Sequence, residues 1–192
     1  ILIGNIIQQG SNSQNGNIIG YGLEGLANAA PHEIYLINNT LVNERFAGSF
    51  LQANAGATYL KVYNNVFAGP GTVINYSGPV ASLDSLTNKV AGDIAQVGFV
   101  NAAAYDYHVS TGSIAVNNGT NPGIAANGLD LNPVFEYLHP ASFTNRILQS
   151  NIDIGSYELA GALPVTLLSF TAFVRQKQTI IQWQTTQETE ID

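Results

Sequence analysis

Cations are scarce enough in this chain to be taken one by one, and they decide which chemistries are open to it. Before position 100 they are Arg45, Lys61 and Lys89, accompanied by the carboxylates Glu24, Glu33, Glu44, Asp84 and Asp93. Lys61 and Arg45 on one wall could remove a proton from a sugar acid if nearby carboxylates held calcium to acidify it. Two neighbouring Asp side chains would instead serve glycoside hydrolysis as acid and base, and Asp84 and Asp93 are the nearest pair. Neither set is clustered in the sequence: no group of two or three Asp marks a calcium site, and Asp84 and Asp93 flank a turn. Solvated surface charges account for both. His32, His108 and His139 stand in unrelated contexts, so each is expected to be an ordinary surface or hydrogen-bonded imidazole. No catalytic residue and no metal ligand is assigned.

Gly20-Tyr21-Gly22-Leu23-Glu24-Gly25 matches GxGxxG after a strand-like NII, with Glu44 about where a ribose-binding acid would stand. Only LANAA separates Gly25 from Pro31, far too little for the helix of a βαβ crossover, so turn glycines explain the motif. A net charge of −7 with six Lys plus Arg leaves no basic patch to neutralise a phosphate backbone, which excludes nucleic acid as a partner. With no cysteine there is neither a disulfide framework nor a thiolate metal site. No apolar run is long enough to span a bilayer. The start, ILIGNIIQQG, lacks an initiator Met and a charged n-region, and QTTQETEID stops without a closing element, so the chain reads as a fragment or processed product.

Behind these side chains stands a composition built for strands and turns: 45% apolar, 10% charged and 19 Gly. Pairs of polar residues recur in it. Aligning GNII, NNTLV, NNVF and TNKV brings Asn5, Asn39, Asn65 and Asn88 into register at spacings of 34, 26 and 23 residues. Between them lie NIIGYG, SFLQANAG and TVINYSG, each ending in a glycine turn. Short strands repeating at such spacings predict a solenoid whose coils bury their apolar faces against one another, which is a parallel β-helix. In stacked coils the same position recurs about 4.8 Å above itself, so inward-turned amides would form a hydrogen-bonded ladder. Asparagine's tolerance of left-handed turn conformations is the other explanation of the same pattern. Either role is structural. Tyr21, Tyr35, Tyr59, Tyr63 and Tyr76 stand near the coil walls, some as core and some free to stack on sugars.

The run IYLINNTLVNERFAGSFLQANAGATYLKVYNNVFAG resembles the right-handed parallel β-helix repeats of pectate-lyase-like secreted bacterial proteins, a likeness covering about residues 1–95. VGFVNAAAYDYHVSTGSIAVNNGT, GLDLNPVF and NIDIGSYEL are similar to the C-terminal closing region of secreted β-helix proteins called choice-of-anchor Q. Gly98, Phe99, Asp106, Tyr107, Gly112, Ser113, Asp130, Asp153, Gly155, Tyr157 and Glu158 carry that likeness. The chain departs from it at Asn117, where the family has Asp, and at Asn132-Pro133 in place of Asp-Gly, which removes acidity that a calcium cluster would use. The resemblance implies a closing region over residues 96–160 in which Asp106, Asp130, Asp153 and Glu158 converge with Arg146 to cap one end of the solenoid. They are expected to act as buried, hydrogen-bonded carboxylates, with calcium binding the competing reading and no cofactor required. LPVTLLSFTAFVRQKQTIIQWQTTQETEID is similar to the start of a fibronectin-like module of proteins exported by type IX secretion. It predicts a truncated hairpin at 161–192 around a polar turn at Arg175 to Gln178, with Trp183 facing inward.

The expectation is an all-β chain, a right-handed parallel β-helix with a closing region and the first hairpin of a β-sandwich module. By resemblance it is the non-catalytic C-terminal part of a large secreted or cell-surface protein, engaged in adhesion or polysaccharide contact and handled by the type IX secretion machinery. The alternative is a portion of a polysaccharide lyase or glycoside hydrolase whose catalytic coils lie upstream.

Overall fold

A computed structural model describes residues 1–54, 56–78, 82–160, 167–175 and 178–185. The predicted module start at 161–166, the turn residues 176–177 and the end at 186–192 lie outside the described residues. Everything described is strand, turn or loop apart from two short 3-10 turns at Ile94–Val97 and Ala102–Ala104.

The first eleven strands form three sheets that the chain visits in rotation. β1 (Leu2–Ile3), β4 (Glu33–Ile37), β7 (Tyr59–Tyr63) and β10 (Leu83–Leu86) make the first sheet. β2 (Ile6–Gln9), β5 (Thr40–Asn43), β8 (Val66–Ala68) and β11 (Lys89–Ala91) make the second, and β3 (Asn17–Tyr21), β6 (Ser49–Ala53) and β9 (Thr72–Tyr76) the third. Every neighbouring pair is parallel, and the register puts like over like. Leu36 pairs with Leu2 and Val62, Leu41 with Ile7 and Phe67, and Leu51 with Ile19 and Ile74. These side chains meet inside the three sheets, where Ile34, Leu36, Leu41, Phe50, Leu51, Leu60, Val62 and Phe67 form one buried cluster. Phe50 and Phe67 meet edge to face at 5.3 Å.

Two residues suffice to turn each coil from the first sheet into the second: Gly4-Asn5, Asn38-Asn39, Asn64-Asn65 and Thr87-Asn88. The first of each pair is left-handed, with φ of 68°, 51°, 56° and 53° in that order. Such a conformation suits Gly and Asn and strains a β-branched Thr.

Strands β4, β5 and β8 are buried on both faces. Their outward side chains Tyr35, Ile37, Val42 and Val66 are covered because residues 94–159 pack along the outside of the first two sheets. Val97, Tyr107, Val109, Ala115, Ile154 and Tyr157 join Val42, Val66 and Ala68, while Ala125 and Leu131 join Tyr35 and Ile37. A strand covered on both faces needs apolar residues at consecutive positions, which is why EIYLI and TLV lack alternation.

The region expected to cap the coil end therefore lies along the wall instead. Leu83 and Val90 of the last coil remain 48% and 58% exposed. The physical reason is the apolar outer face of β4, β5 and β8: burying a Val or Ile side chain contributes about 1.5–3 kcal/mol, and that face offers more such side chains than the last coil. Within this region β12 (Phe99–Asn101) pairs antiparallel with β13 (Asp106–Val109), and β14 (Phe135–Leu138) with β15 (Ser142–Asn145).

The chain divides into two compact units, Ile1–Leu159 and Ala160–Asp192. In the second, β16 (Leu167–Arg175) and β17 (Gln178–Thr185) form an antiparallel ribbon in which Phe170 pairs with Trp183. Trp183, expected to face inward, is 64% exposed on this ribbon, which has no second layer among the described residues.

Candidate functional site

The amides fall into two sets with different work. Asn5 donates its backbone N–H and its Nδ2 to Asn39 Oδ1 at 2.9 and 3.1 Å. Asn39 does the same to Asn65 Oδ1, both at 2.9 Å, and Asn65 to Asn88 Oδ1, again both at 2.9 Å. Asn39 and Asn65 are fully buried. The left-handed residues form a second column: Asn64 Nδ2 donates to Asn38 Oδ1 at 3.0 Å, and the Thr87 hydroxyl to Asn64 Oδ1. This column also holds the outer layer, since Asn38 Nδ2 donates to the Asp153 carbonyl at 2.8 Å and Asn64 Nδ2 to the Thr120 carbonyl at 2.6 Å. The two explanations of the amide pairs thus both operate, at adjacent residues.

Of the four residues expected to converge with Arg146, Glu158 meets it through its carboxylate and Asp153 through its backbone carbonyl. Arg146 Nε donates to Glu158 Oε1 at 2.6 Å, and its other nitrogens donate to the Gly155 and Asp153 carbonyls at 3.2 Å each. The Asp153 carboxylate accepts the N–H groups of Asn117 and Leu159. Burial pushes the Glu158 carboxyl up from its ordinary range while Arg146 pulls it back. Glu136, also raised by burial, accepts the Glu158 N–H at 2.6 Å. Asp130 and Asp106 stand elsewhere. Asp130 accepts the N–H of Asn132 at 3.0 Å and its Nδ2 at 2.8 Å in an exposed turn, and those bonds hold its carboxyl low. Asp106 lies in β13 and binds His108. Among the described residues no group of three or more His, Asp or Glu stands together to hold a metal ion.

Lys61 and Arg45 do not share a wall. Lys61 Nζ sits over the Tyr63 ring, 4.6 Å from its centroid, whereas Arg45 donates to the Asn15 carbonyl. Asp84 accepts the hydroxyls of Tyr59 and Tyr63 at 3.1 and 2.7 Å, and Asp93 caps a 3-10 turn through Ala95 N–H at 3.0 Å. Tyr35 is buried with its hydroxyl on Glu33 at 2.8 Å, and Tyr21 and Tyr76 pack against the inner core. After Tyr21 the chain runs into turns, with Gly22 and Gly25 at φ of 66° and 116°, so the GxGxxG match passes from the end of β3 into a loop with no helix after it.

A cleft of about 880 Å³ lies between the outer face of β2 and the covering layer. Ile6 and Gln8 form one side, the segment Tyr105–His108 another, and Tyr137, His139 and Tyr157 close it. His108 is anchored from two directions. Its Nδ1 meets Asp106 Oδ1 at 2.6 Å, and its ring stacks on Tyr157 with centroids 3.8 Å apart at 20°. The contact with Asp106 occupies Nδ1 and leaves Nε2 outside the pair. Tyr157 is itself fixed, its hydroxyl donating to the Tyr137 carbonyl at 3.1 Å and its phenol pushed up to about 12 by burial. Tyr105 stands at φ 62° with 66% of its surface exposed. Tyr107 is buried, and its hydroxyl has no hydrogen-bond partner among the described residues.

Sequence reasoning placed the exposed rings on the coil walls and so missed this cleft, whose parts come from four separate segments. One signal was present: in Tyr105-Asp106-Tyr107-His108, strand alternation puts Asp and His on the same face. Searches of family models, curated proteins and solved structures found no match to this chain.

Proposed function

We propose that this chain is a non-catalytic part of a large secreted or cell-surface bacterial protein, built as a right-handed parallel β-helix, whose outer wall contacts polysaccharide. The rotation of the chain through three parallel sheets supports the β-helix reading. The resemblance of the repeats and of the closing region supports the extracellular setting, and the likeness of residues 163–192 to a fibronectin-like module supports export by type IX secretion. The observation that carries the functional reading is the cleft. Exposed tyrosine, imidazole and amide groups line it, and they sit on a wall whose stacked coils and covering layer hold them in place. Sugars are recognised by such a combination of flat apolar faces and hydrogen-bonding groups on a rigid support.

The rival reading, part of a polysaccharide lyase or glycoside hydrolase, draws on the Asp106–His108 pair, since an imidazole oriented by a carboxylate is a general-base arrangement. Affinity electrophoresis of the full chain in gels containing soluble polysaccharides, with product analysis of the same mixtures, separates the two. Retardation without release of oligosaccharides is the expected result. Released oligosaccharides that vanish in His108→Ala would establish the enzyme reading in its place.

A further inference from the structure

Resting on the reading of the cleft as a polysaccharide contact, we infer that it takes an uncharged saccharide, with Tyr105 as the stacking platform. Tyr105 adopts a left-handed conformation that bulky side chains rarely occupy, held by its N–H on the Ala102 carbonyl at 3.1 Å. The result is a ring that is 66% exposed beside the cleft, although two residues further on Tyr107 is buried. An exposed aromatic face offers a pyranose ring a partner for its apolar C–H face.

Polar groups for the sugar hydroxyls stand around it. His108 has Nε2 left over after Asp106 takes Nδ1, and Gln8 faces outward from β2.

Charge selects the class. Among the described residues that line the cleft there is no Lys or Arg, while Asp106 contributes a carboxylate. A polyuronate would therefore meet no Lys or Arg in the cleft, and it would approach a chain with a net charge of −7. A neutral polymer meets no such repulsion.

The test is affinity electrophoresis of the full chain against β-glucan, β-mannan and xylan on one side and polygalacturonate and alginate on the other. Retardation by a neutral polymer and not by the acidic ones is expected. Tyr105→Ala should weaken it about tenfold or more, and Tyr105→Phe, which keeps the ring, should retain it. Unchanged circular dichroism for Tyr105→Ala assigns the loss to the ring and not to folding. Stronger binding of the acidic polymers, or Tyr105→Ala binding like the parent chain, would overturn the neutral-sugar inference and leave polysaccharide contact standing. Binding of neither class would overturn both.

Discussion

Asn65 shows how much one side chain can hold in this molecule. Its Oδ1 accepts two bonds from Asn39, and its Nδ2 donates to the carbonyls of Leu36 and Tyr63 and to Asn88. Removing the amide leaves buried partners unpaired, so Asn39→Leu or Asn65→Leu should each cost about 1–3 kcal/mol in urea unfolding. Unchanged unfolding midpoints for both would contradict the ladder's energetic role. Thr87 runs the other way. It holds the left-handed corner position that Asn occupies in the two preceding coils, and Thr87→Asn could donate to Asn64 as Asn64 donates to Asn38. That substitution should stabilise the chain by about 1 kcal/mol. The amide register at Asn5, Asn39, Asn65 and Asn88 was legible in the sequence because the corner demands the same chemistry in every coil. The second column, in which Asn38 and Asn64 reach the outer layer, was not, since it depends on the left-handed turn, a feature of backbone and not of composition.

At the level of elements, the outer layer is knit together around Arg146 and fastened to the coils at Asn38, Thr40 and Asn64. Arg146 gathers Glu158 and the Asp153 and Gly155 carbonyls, while Gly155 N–H reaches the Asn64 carbonyl at 2.7 Å and Ile154 N–H that of Ala115 at 2.9 Å. Breaking one side of a buried ion pair costs about 3–5 kcal/mol. Arg146→Met should therefore speed hydrogen exchange at Ile154 and Gly155 well before it affects Leu41 or Phe67 in the coils. Equal acceleration at all four would mean that the layer and the coils open as one unit. Residues 96–160 were recognisable as a distinct segment, yet their placement was not. The apolar outward positions Ile37, Val42 and Val66 were in plain view and called for a cover along the wall. A motif-based expectation of an end cap gave them no part. For the same reason Asp106 and Asp130 were grouped with Asp153 although each is held by a neighbour two residues away.

Across the whole molecule, burial leaves a signature in pH. Burial pushes the phenols of Tyr59, Tyr107 and Tyr157 up to about 12, from an ordinary value of 10.0. Below pH 10 folded and unfolded chains both keep these protons and the contribution to stability is full. Between about 10 and 12 the unfolded chain releases protons that the folded chain retains, so stability falls as pH rises through that window. An alkaline titration followed by tyrosinate absorbance should show a part of the phenols ionising together with loss of structure. All nine tyrosines ionising together near pH 10 before any unfolding would contradict it. The claim beneath all of this is that successive coils stack in parallel and in register, and the chain's lack of cysteine makes that directly measurable. Gln52 and Asn75 are register partners on the outer side of β6 and β9, joined by a 2.8 Å hydrogen bond. Cα atoms of such partners lie about 4.8 Å apart, within disulfide reach. The double variant Gln52→Cys with Asn75→Cys should close an intramolecular disulfide under mild oxidation, and Gln52→Cys with Thr72→Cys should not. Closure of the second pair in preference to the first would contradict the stacking of the coils.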